Sequence, residues 1–264
     1  MKEPVVRVKN RKQLFKSSEM AIETFSDSRY RAKIVEELSE FESVLRLRRD
    51  VFKNELTGDK ANGLYSDFDD YDPKCIHLIV TEKDTGLAVG TYRLNSFNGS
   101  VEGFYASSEF QLDKLPYEML AKSVELGRAC IAREHRNSRV LFLLWRVLAG
   151  FMEASGCRYL FGCCSIFTQE PQVAADVFAK LRADGHVDQS LHIFPQPDVT
   201  ILSDDLTGDA AAAEIPPLVN IYMRIGARVY GEPAIDRRMK TVDYFVVFDL
   251  DEINRKYRKM FFAD

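Results

Sequence analysis

Short segments typical of β-strands alternate along this chain with longer amphipathic segments, and this order limits the fold more than any other feature. Residues 30–36 (YRAKIVE) predict a strand, and Ser39 with Glu42 predicts a capping box at the start of the next helix. Residues 76–82 and 87–94 predict a β-hairpin, because a Lys-Asp-Thr-Gly turn joins two strand-like segments.

The same alternation continues through the second half of the chain. The predicted strands are residues 123–131, 158–165, 227–231 and 243–249, and the predicted helices are residues 139–155 and 171–182. Gly156 predicts the end of the first of these helices, since glycine adopts the left-handed conformation that closes a helix. The order predicts an α/β (α+β) fold, with a mixed central β-sheet flanked by helices.

The distribution of charge divides the chain into a short basic head and an acidic remainder. Residues 1–16 hold six basic side chains and one acidic side chain, whereas the whole chain has a formal net charge of −4. We therefore expect residues 1–29 to be a basic N-terminal extension and residues 30–264 to form one domain. The acidic remainder gives no footprint for nucleic acid.

No run of 18 apolar residues and no signal-peptide pattern occurs, so we expect a cytoplasmic protein. The basic head is an alternative contact with the inner face of the membrane, against the simpler interpretation of a solvated terminus. The five cysteines lack the spacing of a zinc site or a disulfide framework, and we expect no metal.

Four carboxylates crowd into the sequence DFDDYD at residues 67–72. Like charges this close repel one another, so a cation is expected to hold them together. No histidine or EF-hand spacing accompanies them, which favours an amine or an arginine over a metal ion.

Residues 124–131 (VELGRACI) place two charged side chains, Glu125 and Arg128, in an apolar strand. Strand alternation predicts that Arg128 shares a face with Val124 and Leu126, opposite Glu125. Charges in such a strand are costly unless they are paired or functional. Both a salt-bridge network and a catalytic role remain open on this evidence.

Several motifs in register resemble known acyltransferases. RLRRDVF (46–52), DFDDYD, GTYRL (90–94) and VELGR (124–128) resemble the motif series of the acyl-homoserine-lactone synthases, which are GNAT-like enzymes. Longer stretches resemble the ornithine-lipid N-acyltransferases, a group once labelled hemolysins: ELGRACI, HRNSRVLFLLWR, YLFGCCS and IPPLVNIYMRIGARVYGEPAID. The similarity covers about residues 30–260.

The resemblance implies an N-acyltransferase that moves a 3-hydroxy or other long-chain acyl group from acyl carrier protein to the α-amine of ornithine. Glycine, lysine or tyrosine as acceptor, and acyl-homoserine-lactone synthesis, are alternatives with the same chemistry. A non-catalytic adaptor that binds carrier protein or membrane is the alternative from another class. No bound cofactor is expected, because the phosphopantetheine thioester is itself the donor substrate.

The chemistry of amide formation assigns roles to the acceptor side. Glu125 is the candidate base for the acceptor amine, and Asp69 is the next candidate. Arg128 is the third catalytic candidate. Guanidinium groups bind carboxylates bidentately, so Arg93 and Arg128 are candidates for the acceptor carboxylate. The remaining acceptor-binding candidates are Asp67, Asp72, Arg49 and Phe52.

The donor side is expected at the start of the helix after residue 137. Acetyl-CoA enzymes resemble one another in a glycine-rich loop that wraps the CoA pyrophosphate, but residues 136–141 (RNSRVL) contain no glycine. Basic side chains there suit a phosphopantetheine arm and an acidic carrier protein. The donor-binding candidates are Arg133, Arg136 and Arg139, with the backbone of Ala129, Cys130 and Ile131 as oxyanion donors.

The acyl chain requires an apolar channel, and several aromatic side chains are candidates for its lining. Core packing is the alternative for each of them. The candidates are Phe104, Tyr105, Phe110, Trp145, Phe161 and Phe167.

Overall fold

The computed structural model describes residues 22–56, 58, 63, 67–191, 193–203 and 205–262. The strands are β1 Phe25–Ser26, β2 Tyr30–Ile34, β3 Ile76–Glu82, β4 Ala88–Ser96, β5 Ser123–Ile131, β6 Tyr159–Ile166, β7 Val187–Asp188, β8 Arg228–Tyr230, β9 Ala234–Asp236 and β10 Thr241–Asp249. The α-helices are α1 Leu38–Arg48, α2 Tyr117–Leu120, α3 Ser138–Ser155, α4 Pro171–Ala183, α5 Pro217–Ile225 and α6 Arg255–Phe261.

Shorter helical turns connect these elements. A π-helix, Arg49–Leu56, continues directly from α1. The 3₁₀ turns are Asp72–Lys74, Val101–Gly103, Tyr105–Ser108, Leu112–Lys114 and Arg133–His135. No helix in the described ranges combines the length and the apolar character needed to cross a bilayer.

The chain forms two compact units, and each is discontinuous in sequence. The first unit takes residues 1–96, 126–156 and 261–264, and the second takes residues 97–125 and 157–260. Residues 1–21 of the predicted extension lie outside the described residues. The boundary between residues 29 and 30 stays a prediction.

The first unit is a sheet with a helix on each face. Strands β1 to β4 are antiparallel in sequence order, and β5 follows β4. Successive side chains of a strand point to opposite faces. Ile79 of β3 therefore packs with Val44 and Leu45 of α1, whereas Val80 lies on the face of α3. A Cβ atom at Gly90 in β4 would lie 2.8 Å from Val140 of α3, so glycine permits this close approach.

The second unit contains the mixed part of the sheet. Strands β5 and β6 are parallel, with Ser123 opposite Tyr159 and Glu125 opposite Phe161. Strand β10 runs antiparallel to β6, β8 and β9, and β7 pairs in parallel with β8. The expectation of a mixed central sheet flanked by helices is confirmed.

Aromatic side chains fill the core of the second unit. Phe104, Phe110, Phe161 and Phe245 are each at most 1% exposed and pack in one cluster. Among the residues expected to line an acyl channel, Phe104, Phe110 and Phe161 are therefore core residues in this structure. Phe167 is 43% exposed.

The first helix starts differently from the prediction. Strand β2 ends at Ile34, two residues early, and α1 begins at Leu38. The capping box uses Glu37 and Glu40, and the Glu40 carboxylate accepts the backbone N–H of Glu37 at 3.3 Å. The predicted box of Ser39 and Glu42 is wrong because Ser39 lies inside the first turn. The prediction of Gly156 as a left-handed cap is confirmed, with φ of 64°.

Candidate functional site

A fully buried arginine organises the acidic loop of the first unit. Arg48, the last residue of α1, is 0% exposed. Its Nε donates to Asp67 Oδ2 at 2.7 Å, and its Nη1 donates to Asp72 Oδ1 at 2.7 Å. Burial opposes its charged form, but the carboxylates of Asp72 and Asp67 outweigh burial and raise the pKa of Arg48 above its usual range.

Two further arginines complete the cluster. Arg93 on β4 donates from Nη1 to Asp69 at 2.7 Å and to Asp72 at 3.0 Å. Arg128 on β5 donates from Nη2 to Asp69 at 2.8 Å. Burial opposes the ionised form of Asp72, yet Arg48 and Arg93 lower its pKa below the ordinary range. The expectation that arginine holds this loop together is confirmed.

The charges of this cluster balance among its own members. Three guanidinium groups meet the three carboxylates of Asp67, Asp69 and Asp72, while Asp70 of the same loop is exposed. Asp67, Asp72 and Arg93 are 5%, 0% and 3% exposed. The geometry therefore suits these predicted acceptor-binding residues to a scaffold, and direct acceptor contact by them stays a prediction.

His77 is a neutral member of the same environment. Its Nε2 lies 3.0 Å from the carbonyl oxygen of Asp72, and its ring packs on Phe41 with centroids 4.8 Å apart. Burial lowers the pKa of His77 to about 4, so the ring is neutral near pH 7. A histidine between apolar residues of a strand was the available sequence signal, and it was missed.

Arg128 has a left-handed backbone, with φ of 49°. This conformation is unfavourable for a residue with a Cβ atom, and such strain concentrates at functional sites. The predicted alternation of faces along β5 is wrong at Arg128, because the backbone leaves extended geometry there. The hydrogen bond to Asp69 holds the Arg128 side chain in place at this change of backbone conformation.

The motif RLRRDVF contributes a different arginine from the one predicted. Arg49 donates to its neighbour Asp50 at 2.8 Å, whereas Arg48 reaches the acidic loop. Phe52 is buried, at 8% exposure. The spacing of Phe41, Leu45 and Arg48 at helical intervals identifies the buried face, and this signal pointed to Arg48. The acceptor roles of Arg49 and Phe52 stay predictions.

The start of α3 differs from a phosphate-wrapping loop. The Asn137 side-chain oxygen accepts the backbone N–H groups of Arg139 at 3.0 Å and of Val140 at 3.2 Å. These N–H groups would otherwise be open to an anion. Arg133, Arg136 and Arg139 are exposed as expected.

The exposed arginines at this helix start are not equivalent. Arg139 pairs with Asp27 at 2.9 Å, and the Arg136 side chain donates to the carbonyl of Ile131 at 3.2 Å. His135 Nδ1 lies 3.0 Å from the Tyr30 hydroxyl.

The predicted oxyanion donors lie in the final residues of β5. Ala129 and Ile131 are half-buried, and Cys130 is buried. Burial raises the pKa of the Cys130 thiol far above its usual range, so this residue is chemically inert at neutral pH. The role of the three backbone N–H groups stays a prediction.

Glu125 holds a 3₁₀ turn in the second unit. The residue is 5% exposed, and its two oxygens accept the backbone N–H groups of Tyr105 at 2.9 Å and of Ala106 at 2.7 Å. These bonds fix the orientation of the carboxylate and tie it to the turn Tyr105–Ser108. The sequence left open whether Glu125 belongs to a salt-bridge network or has a catalytic role. In the structure, its carboxylate accepts hydrogen bonds from backbone N–H groups.

The same unit assembles acidic groups that the sequence did not connect. One ligand atom each from Glu109, Cys163 and Asp243 lies within 4.8 Å of the others. The Tyr105 hydroxyl donates to Asp236, which also accepts the backbone N–H of Met239 at 2.9 Å. These residues are far apart in sequence, and no local spacing signals their proximity.

The sequence is similar to a known domain family and to characterised acyltransferases. Residues 47–146 match the family described as an acetyltransferase (GNAT) domain. The L-ornithine N(alpha)-acyltransferase of Rhizobium meliloti (strain 1021) is 28% identical in an alignment 250 residues long, which covers 88% of this chain and 84% of the relative. The L-ornithine N(alpha)-acyltransferase of Rhodobacter capsulatus is 27% identical in an alignment 248 residues long, which covers 88% of this chain and 94% of the relative.

Among solved structures, the CoA-dependent acyl-homoserine lactone synthase BjaI aligns with a TM-score of 0.49 at 13% identity, covering 88% of this chain and 90% of the other. Residues 47–146 match an acetyltransferase (GNAT) domain, and the homologues that match over most of the chain are named L-ornithine N(alpha)-acyltransferases.

Proposed function

We propose that this chain transfers a long-chain acyl group from an acyl carrier protein thioester to the α-amine of ornithine, the first step of ornithine lipid synthesis. The observation that carries the proposal is the similarity to L-ornithine N(alpha)-acyltransferases across 88% of the chain. Glu125, Arg128, Arg93 and the whole acidic loop lie within residues 47–146, the part of the chain that matches the GNAT domain.

The reaction exchanges a thioester for an amide. The neutral α-amine attacks the thioester carbon, a C–N bond forms, and the C–S bond breaks. The phosphopantetheine sulfur leaves with the electron pair and takes up a proton, while the amine loses one. An α-amine is mostly protonated near pH 7, so the reaction requires a group that accepts its proton.

Glu125 is the proposed acceptor of that proton, directly or through water. Its orientation supports this role, because two backbone N–H groups at 2.9 and 2.7 Å hold the carboxylate in place. A positioned carboxylate contributes typically 10²–10⁴-fold to such a reaction. Asp69 is the second candidate, but its carboxylate already binds Arg93 and Arg128.

The cluster of Arg48, Arg93 and Arg128 with the acidic loop is proposed to position the strand that carries the chemistry. Arg128 brings the last part of β5 to Asp69 through a 2.8 Å hydrogen bond. Its left-handed backbone makes the direction of this strand sensitive to that bond. Ala129, Cys130 and Ile131, which follow, are the proposed donors to the oxyanion.

Carrier protein is the proposed donor because the start of α3 is poorly suited to a CoA pyrophosphate. Asn137 already satisfies the N–H groups of Arg139 and Val140, and residues 136–141 lack glycine. The exposed Arg133 and Arg136 suit the acidic surface of a carrier protein. A peripheral contact of the basic N-terminal residues with the membrane is proposed as a separate feature.

The test uses purified protein, a 3-hydroxyacyl carrier protein and ornithine. We expect free carrier thiol and N-acylornithine to appear together in equal amounts, with product mass measured by mass spectrometry. Glycine, lysine and tyrosine serve as competing acceptors. Thioester that persists whether or not ornithine is added would contradict the function, and equal kcat/KM with the matching acyl-CoA would contradict the donor.

A further inference from the structure

Two buried carboxylates in the second unit lack a basic partner among the residues that the structure describes. Glu109 and Asp243 are 3% and 2% exposed. No basic side chain of the described residues forms an ion pair with either of them. Within the described part of the chain, no hydrogen bond of ordinary geometry reaches either Glu109 oxygen or Asp243 Oδ1, although Glu109, Asp243 and Cys163 lie close enough to interact with one another. Buried acidic groups of this kind are costly unless a cation or a proton accompanies them.

Cys163 completes the group from the neighbouring strand. Its sulfur and one oxygen from each carboxylate lie within 4.8 Å of one another. Burial, reinforced by Asp243, raises the pKa of Glu109 to about 10. Burial and the same two carboxylates raise the pKa of the Cys163 thiol well above its usual value. The group is therefore electrostatically arranged to receive positive charge.

The group lies close to Glu125 along the sheet. Glu125 is opposite Phe161 in the ladder between β5 and β6, and Cys163 is two residues further along β6 on the same face. Two residues of a strand span roughly 6.6–7 Å. The Glu109 backbone N–H also bonds to Ala106, whose own N–H binds Glu125.

Ornithine has matching dimensions. Its α-nitrogen and its side-chain nitrogen are separated by five bonds, which span roughly 6 Å when extended, from bond lengths near 1.5 Å. An α-amine at Glu125 would thus bring the side-chain ammonium near Cys163. A metal ion is less suited to this group, because it would need the Cys163 thiolate and gains no histidine ligand from the described residues.

We propose that Glu109 and Asp243, next to Cys163, form the binding site for the side-chain ammonium of the acceptor amino acid. The inference deepens the proposed function and depends on it. The buried carboxylates of the DFDDYD loop, which are acceptor-binding candidates from the sequence, are occupied by arginines, so we assign the recognition of ornithine's second amine to Glu109 and Asp243. The preference for ornithine over an amino acid with an uncharged side chain then comes from Glu109 and Asp243.

The kinetic test compares ornithine with norvaline, which has the same carbon chain without the side-chain amine. The measured quantity is the ratio of kcat/KM for ornithine to that for norvaline. We expect Glu109→Gln and Asp243→Asn each to lower this ratio about 10- to 100-fold, the size of a lost charged hydrogen bond. Asp113→Asn is the matched control, since Asp113 is an exposed carboxylate in the same unit, and it should leave the ratio at the wild-type value.

A binding measurement separates this inference from the proposed function. Ligand that binds the folded state raises Tm. Ornithine should raise the Tm of the wild type more than norvaline does, and Glu109→Gln should abolish the difference. That result without any acyl transfer would contradict the proposed function but support the cation site.

Two outcomes would overturn the cation site. One is an unchanged ratio in both folded variants, with loss of activity toward both acceptors alike. The other is a stoichiometric metal ion in the purified wild type, measured by elemental analysis and lost in Glu109→Gln. The use of two variants keeps the test valid if one of them fails to fold.

Discussion

Arg48 and Asp72 are both completely buried and are joined by hydrogen bonds of 2.7 and 3.1 Å. Removing one partner of such a pair leaves an uncompensated charge away from water. We expect Arg48→Met to destabilise the protein by about 3–5 kcal/mol, measured by urea denaturation. Arg49→Met is the control, because Arg49 pairs with its neighbour Asp50 and with no other acidic side chain among the described residues, and it should change stability by less than about 1 kcal/mol. Equal effects of the two substitutions would contradict the central position of Arg48.

Stability should fall on mild acidification because of His77. Its pKa is near 4 when folded and near 6.5 when unfolded, so between these values only the unfolded chain binds the proton. Stability is therefore full above about pH 6.5 and decreases toward pH 4, by at most about 3 kcal/mol. His77→Gln should flatten this part of the curve while the acid loss due to Asp72 remains at lower pH. An unchanged slope between pH 4 and 6.5 would exclude His77 as its source.

Glu125→Gln should affect chemistry and stability together. If Glu125 takes the amine proton, kcat/KM should fall roughly 10²–10⁴-fold, and the acidic limb of the pH–rate profile should change. The amide also places a donor where a carboxylate oxygen now accepts a backbone N–H, which should lower stability by about 1–3 kcal/mol. Kinetics are therefore measured on the folded fraction. A destabilised enzyme with normal kcat/KM and pH profile would assign Glu125 to structure alone.

Glu109→Gln should stabilise the protein at neutral pH. The folded-state pKa of Glu109 is about 10, against about 4.5 when unfolded. Above the unfolded value the folded state must keep a proton that the unfolded state releases, so stability declines as pH rises from about 4.5 to 10. The variant lacks this decline and should gain on the order of 1–3 kcal/mol at pH 7, seen as a higher Tm. If Glu109→Gln has a lower Tm than the wild type at pH 7, and its stability relative to the wild type does not increase as pH rises, this electrostatic interpretation is contradicted.

Carrier binding should depend on the exposed arginines at the start of α3. Charge reversal at Arg133 or Arg136 should weaken carrier affinity several-fold, and wild-type affinity should fall as salt is raised. Arg139 already pairs with Asp27, so its reversal also breaks that pair. We expect a lower Tm for Arg139→Glu but not for Arg133→Glu. Carrier affinity is measured by titration. If it changes neither with salt nor with any of the three substitutions, this surface does not bind the donor.

Local patterns predicted most of the regular structure. Strand β3 has the predicted bounds, α3 starts one residue before the predicted start, and its glycine cap is the predicted Gly156, because alternation and helix caps are local properties. The start of α1 was misplaced because Glu37 and Glu40 imitate the serine–glutamate pair three residues apart that was expected two residues later.

The contacts between distant segments were less accessible to sequence. The sequence of the acidic loop predicts a cationic partner. Which arginine serves as that partner depends on which face of α1 packs against the sheet, and this face includes Arg48. The proximity of Glu109 to Asp243 depends on the strand order, which no local pattern encodes.

The burial of the thiols has a practical consequence for enzymology. Thiol reagents react with thiolates, and burial keeps Cys130 and Cys163 protonated by raising their pKa, while the pKa of Cys164 rises to about 12. The native protein should therefore react slowly at these positions. Carrier thiol released during turnover can then be followed continuously with a chromogenic disulfide, with little background from these three cysteines.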